Sequence, residues 1–185
     1  MRISCVCFLV ILLTTACSPV KVQTDVKSTT DFSDMRTFGW LETSAASGDD
    51  VRVNNPELAV IVRAATEKSL QAKGFIKDGK PDFLVNWLGA IEEKIKEESI
   101  QHFYSGYGYG TLSEKGPGRN KEGSLVGSHE EGTIVIDILD PQKHVVLWRG
   151  KGTRQLTKGM DEAQVVRYIN LSVDEILKSF PVSSR

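Results

Sequence analysis

Thr133-Ile134-Val135-Ile136-Asp137-Ile138-Leu139, then Asp140-Pro141-Gln142-Lys143, then Val145 to about Leu156, is the stretch that decides the fold. Successive side chains of a strand point to opposite faces, so Ile134, Ile136 and Ile138 share one face and Val135, Asp137 and Leu139 the other. Pro141 falls at the second position of a four-residue turn, where its fixed φ suits a reversal. The spacing therefore predicts an antiparallel hairpin whose return strand carries Trp148. Gly150 and Gly152 within that strand predict a bulge or the close approach of another backbone.

Working upstream, Pro81-Asp82 opens a long strand in which Phe83, Val85, Trp87, Gly89 and Ile91 face one way. Leu84, Asn86, Leu88, Ala90 and Glu92 face the other. Before it lies a helix: Asn55 caps, Pro56 takes the first helical position, Glu57 complements the dipole, and Gly74 supplies a left-handed stop. Leu58, Ile61, Val62, Ala65, Ser69 and Ala72 form its apolar stripe. Thr37-Phe38-Gly39-Trp40-Leu41 reads as a short aromatic strand, and Ser44 to Asp50 as a polar loop. Residues 17–30 read either as a tether or as an edge strand, since alternation of Val20, Val22 and Val26 is too short to decide.

Downstream, Asp161 and Gln164 have the spacing of a capping box. Val165, Val166, Ile169, Val173, Ile176, Leu177 and Phe180 make one broad helical face that Pro181 ends. Right-handed crossover through the first helix makes its flanking strands parallel neighbours. The expected architecture is a two-layer α+β sandwich of order β-β-α-β-β-β-α, with a mixed, mostly antiparallel sheet and two helices packed on one face. Residues 31–181 form the single domain, with a Gly/Tyr-rich insertion at 102–132.

Two helices on one face leave the other open. That face carries Leu84, Leu88, Val135, Leu139, Val145 and Leu147 beside Asn86, Asp137 and Arg149, and a contiguous apolar patch there signals docking of a protein or a second copy. Tyr104, Tyr107 and Tyr109, interleaved with glycine, suit an adaptable contact loop or a disordered one rather than a core. Trp40, Trp87 and Trp148 on strands read as core residues ahead of a ligand stack.

The N-terminus sets the compartment. Arg2, the apolar run Val6 to Leu13 and the small residues to Ala16 make residues 1–16 a secretory signal, too short to span a bilayer. A cut before Cys17 removes Cys5 and Cys7, leaving a single cysteine and no internal disulfide. Net charge is −1 and hydrophobic content 40%, with no basic tract of the kind that binds nucleic acid.

Two resemblances follow from these residues. Thr14-Thr15-Ala16-Cys17 resembles the lipobox of bacterial lipoproteins, departing from it at Thr14, where Leu is usual. Asp31-Phe32-Ser33, Arg36 to Leu41, Gly74-Phe75, Pro81 to Val85, Gly132-Thr133, Leu147 to Gly150 and Phe180-Pro181 resemble, in order and spacing, the bacterial lipoprotein family catalogued as domain of unknown function 4136. The likeness implies acylation of Cys17, and Ser18 after it implies sorting to the outer membrane, with the domain facing the periplasm. It implies no catalytic residues and no cofactor, because the family brings no established activity.

Motifs for chemistry are weak. Gly123-Ser124-Leu125-Val126-Gly127 misplaces the serine of a nucleophile elbow, and His129-Glu130-Glu131-Gly132 lacks the second histidine of a zinc protease. Gly106 to Gly110 lacks the spacing of a phosphate loop. His102, His129, Glu130 and Glu131 have no recognised metal spacing and read as solvated, as does His144 beside the turn. The expectation is a non-enzymatic, metal-free protein that binds or scaffolds envelope components. Alternatives are a binder of lipid or a small hydrophobe between helices and sheet, and a hydrolase of unrecognised site.

Overall fold

The computed structural model describes residues 20–42, 56–91, 97–110, 130–157 and 159–183. In chain order the elements are β1 (Lys21–Val26), β2 (Thr37–Trp40), α1 (Pro56–Ala72), β3 (Ile76–Lys77), β4 (Phe83–Ile91), α2 (Glu97–Gly106), β5 (Glu130–Asp140), β6 (Val145–Leu156) and α3 (Glu162–Leu177). Cys17, Ser18, Asn55, His129 and the loop 44–50 lie outside the described residues.

Six strands form one sheet in the order β1-β6-β5-β4-β2-β3. β2 and β4 are parallel, as the crossover through α1 demands, while β4, β5 and β6 run as an antiparallel meander. Residues 21–26 form an edge strand antiparallel to β6, which decides between the two readings of that segment. Asp140 closes the hairpin by accepting from the backbone N–H groups of Gln142 (2.8 Å) and Lys143 (2.9 Å), and His144 completes it at φ 52°.

The main core fills the face under α1 and α3. Phe38, Phe83, Ile136, Ile138 and Trp148 from the sheet meet Val62 and Leu70 of α1 and Val173, Ile176 and Leu177 of α3. An aromatic cluster closes one end: Phe75, Phe83 and Trp148 pack on Phe180 with centroids 5.6, 5.8 and 5.2 Å away. Trp40, Trp87 and Trp148 are all buried in this core. The α1 stripe differs from expectation at its C-terminal end, where Leu70 is buried and Ala72 exposed, because the chain turns inward to seat Phe75. Gly74 makes that turn at φ 92°, a conformation costly for any residue with a Cβ. α3 opens with the predicted box: Asp161 Oδ1 accepts from Gln164 N (2.8 Å) and Gln164 Oε1 from Asp161 N (2.9 Å).

The β-bulge lies opposite Ile138 and Leu139 rather than at the glycines. Leu139 pairs with Val146 and Ile138 with Trp148, so Leu147 is skipped and its carbonyl accepts from Lys27 N–H (2.9 Å). Gly150 and Gly152 admit side chains instead of backbone. A Cβ on Gly150 would stand 2.4 Å from the Trp148 ring, and one on Gly152 2.8 Å from Ile176.

The expected α+β sandwich with α1 and α3 on one face is what the sheet carries, and it holds one helix more than the two expected. α2 lies in the segment expected to be a loop and covers the opposite face of the sheet. Ile100, Phe103 and Tyr104, with Tyr109 after the helix, pack against Leu88, Val135, Leu139 and Val146 in a second core.

Candidate functional site

The space between the sheet and the first turns of α1 and α3 is not filled. Leu58 and Val62 of α1 form one wall of a cleft there, and Met160, Val165, Tyr168 and Ile169 form the other. The floor is the sheet itself: Trp87 and Gly89 of β4, Gly132, Thr133 and Ile134 of β5, and Leu156 of β6. Its volume is about 60 Å³, room for the end of an alkyl chain and well short of the roughly 300–1,000 Å³ of a site that encloses a drug-sized ligand.

The glycines of the floor are covered by neighbouring side chains: a Cβ on Gly89 would stand 2.8 Å from the Trp87 ring. Gly89 lies opposite Ile134 in the β4–β5 ladder, and Ile134 opposite Gly152 in the β5–β6 ladder. At Gly132 a Cβ would stand 2.5 Å from the Tyr168 hydroxyl. Glycine there lets Tyr168 donate to the Gly132 carbonyl at 2.9 Å. Burial raises the Tyr168 phenol above its ordinary range, so it remains a neutral donor committed to the backbone. The Arg154 guanidinium lies over the Tyr168 ring at 5.6 Å. A site with these walls can take an alkyl or aryl group out of water; it offers no convergent acid, base and nucleophile.

The predicted docking residues end up elsewhere. Leu88 and Val135 are fully buried, Leu147 nearly so, and Leu84 packs at the edge of the second core. The face expected to be open to a partner is therefore covered by the protein's own α2. Val146 rather than Val145 joins that core, because the bulge shifts the register. Tyr104 is fully buried, Tyr109 is 8% exposed and stacks on His144 (4.9 Å), and Tyr107 packs on Phe103 (5.0 Å). Thus the three tyrosines build a core, contrary to their reading as contact-loop or disordered residues. Their spacing carried the signal: Ile100, Phe103, Tyr104 and Tyr107 fall at i, i+3, i+4 and i+7, the period of an amphipathic helix.

Beneath α2 lies a buried polar cluster. Arg149 Nε and Nη2 donate to Asp137 Oδ1 (2.8 Å) and Oδ2 (3.0 Å), forming a two-pronged ion pair. The Tyr104 hydroxyl donates to Asp137 Oδ2 in a short hydrogen bond and accepts from Asn86 Nδ2 at 3.0 Å. Burial, reinforced by the Asp137 charge, pushes the Tyr104 phenol well above its usual value. Asn86, Asp137 and Arg149 stand in one row across β4, β5 and β6. Each group in the cluster is engaged by another, which is the signature of a structural clamp. His102 is exposed on α2. Among the described residues, no group of three or more His, Cys, Asp or Glu could hold a metal ion.

The fold defines an α+β domain with an open six-stranded sheet, two helices on one face and one on the other. The chain belongs to the family described as domain of unknown function DUF4136, whose model matches residues 22–182. No curated protein matches it. Among solved structures it is similar to a PDZ domain protein from Parabacteroides distasonis ATCC 8503, at 18% identity and TM-score 0.56, covering 89% of this chain and 36% of that one. The chain thus spans about a third of that neighbour's length. It is also similar to a DUF4136 family protein from Bacteroides thetaiotaomicron VPI-5482, at 13% identity and TM-score 0.50, covering 87% and 94% of the two chains. A PelC dodecamer from Paraburkholderia phytofirmans matches at 11% identity and TM-score 0.46, covering 90% and 100%. At such identities the first two likenesses bear on the fold alone.

Proposed function

We propose that this protein is a lipid-anchored, non-catalytic binding domain of the bacterial outer membrane, facing the periplasm and taking an apolar group into the cleft between α1, α3 and the sheet. The observation that carries the binding reading is the cleft: an unfilled apolar space over the sheet, beside cores that are elsewhere filled. It favours a hydrophobe binder over a scaffold docking through the sheet, because α2 occupies the face a scaffold would use.

The anchoring reading is supported by the apolar run and Ala16-Cys17 at the N-terminus. Among the described residues no helix is long and apolar enough to cross a membrane. One acyl chain binds a membrane reversibly and two or more hold it stably. Acylation at Cys17 would therefore hold the domain at a membrane without a spanning segment.

Two measurements test the two halves. Cys17→Ser should move the protein from the membrane to the soluble fraction and abolish incorporation of labelled palmitate; retention in the membrane would refute the anchor. An environment-sensitive fluorescent fatty acid should bind the unmodified protein and be lost on Val165→Trp, which fills the cleft from α3. Equal binding by the two proteins would refute the cleft as the site.

A further inference from the structure

The edge strand and the cleft meet at one end of the domain. Lys21 of β1 lies opposite Thr153 of β6, Thr153 opposite Thr133 of β5, and Thr133 opposite Ala90 of β4. This row crosses the sheet at the level of the cleft floor, which includes Thr133. Because β1 is antiparallel to β6, each step toward the N-terminus from Lys21 is a step toward Leu156, also on the floor.

The approach is on the correct side of the sheet. Val20 Cγ1 stands 3.3 Å from where a Cβ on Gly152 would project, and that same position is 2.8 Å from Ile176 of α3. Val20 is therefore on the helix face, the face on which the cleft opens. Continuing the β1–β6 register puts Val20 level with Arg154, two residues short of Leu156, a separation of about 7 Å. Two residues, Ser18 and Pro19, separate Val20 from Cys17, and the three steps of chain span at most about 11 Å. That reach is enough to bring the Cys17 sulfur to the cleft mouth.

We propose that the cleft seats the end of an acyl chain carried by the protein's own Cys17, the remaining chains staying in the bilayer. The inference rests on the anchoring reading above. A methylene chain needs what the cleft has: apolar walls from Leu58, Val62 and Val165, a floor without charge, and an open mouth for the rest of the lipid. An anchor held at both its ends fixes the domain close to the membrane with its cleft mouth turned toward the headgroups.

The test uses the full chain expressed with its own signal in a Gram-negative host fed a diazirine-bearing fatty acid. Protein purified from the membrane is irradiated, digested and analysed by mass spectrometry. The result expected is an acylated Cys17 peptide joined through its acyl chain to peptides carrying Leu156 to Val165 or Leu58 to Val62. The link should be lost in Val165→Trp and in Val62→Trp, each checked by circular dichroism, with acylation of Cys17 unchanged. An acylated Cys17 without a link to the cleft overturns this inference alone, as does a link from phospholipid to the cleft with none from Cys17. Retention of the link at full yield in both folded variants also overturns it. A Cys17 peptide that carries no acyl group overturns the anchoring reading together with the inference. The unmodified protein decides the matter by itself should both variants fail to fold.

Discussion

Asp137 accepts from Arg149 through both carboxylate oxygens and from Tyr104, while all three are buried. Removing one partner of such a pair leaves an uncompensated charge in an apolar setting, which costs about 3–5 kcal/mol. Asp137→Ala should accordingly destabilise the protein by that order in urea-induced unfolding; a loss near zero would show that the pair is hydrated. Tyr104 gives a second prediction, read from pH. Its phenol is raised by burial and by Asp137, so the folded state holds this proton more tightly than the unfolded chain. The associated stability is fully present below the unfolded value near pH 10 and is lost as pH rises through the folded value. Tyr104→Phe should flatten the alkaline decline in unfolding free energy, leaving the residual slope to Tyr109 and Tyr168, which are raised more modestly, also chiefly by burial. Asp82 works in the opposite direction. Its carboxylate accepts from the N–H groups of Arg36 and Thr37, both at 2.8 Å, and these hold it below the usual range. That contribution is present above pH 4 and fades in more acid solution, so Asp82→Asn should reduce the acid sensitivity of unfolding.

Elements were legible where their period was strong. The seven-residue run from Thr133, the turn at Pro141 and the capping box at Asp161 each specify one conformation locally, and each element stands where the spacing puts it. Asp161→Ala removes one of the two reciprocal cap bonds and should lower stability by about 0.5–2 kcal/mol in thermal or urea unfolding. α2 was obscured by its own composition. Gly106, Gly108 and Gly110 surround the tyrosines and suggest a loop, while the stabilising partner of the helix is a sheet face assembled from β4 before it and β5 and β6 after it. Short helices draw their stability from tertiary packing rather than propensity, so local reading undervalues them. The polar residues Asn86, Asp137 and Arg149 were placed on the correct face for the same periodic reason. Their role as a clamp required Tyr104, which that reading assigned to a loop. The cleft's place was not legible for a different cause: Leu58, Val62, Met160 and Val165 come from separated segments, and how they meet over the sheet leaves no periodic trace.

At the scale of the molecule, the sheet is a partition between two separately packed interiors. One is the large aromatic and aliphatic core under α1 and α3; the other is the smaller core under α2, with the ion pair at its base. A substitution in one interior should leave the chemistry of the other intact. Val165→Trp in the cleft is expected to leave the alkaline slope attributed to Tyr104 unchanged, whereas Asp137→Ala should leave fatty-acid binding unchanged while the protein is folded. Measuring each variant by the other's assay checks this independence, and strong cross-effects would indicate that the two layers move as one.

β1 also has a mechanical consequence. It enters the sheet at Lys21 and pairs residue by residue with β6 from Thr153 to Trp148. A pull along the strand from its N-terminal side loads those bonds together, in shear, instead of peeling them open one after another. A domain tethered in this way resists tension at its attachment point far better than one hung from a frayed loop. Optical-tweezer rupture with the handle attached at Lys21 should exceed that with the handle at Val182.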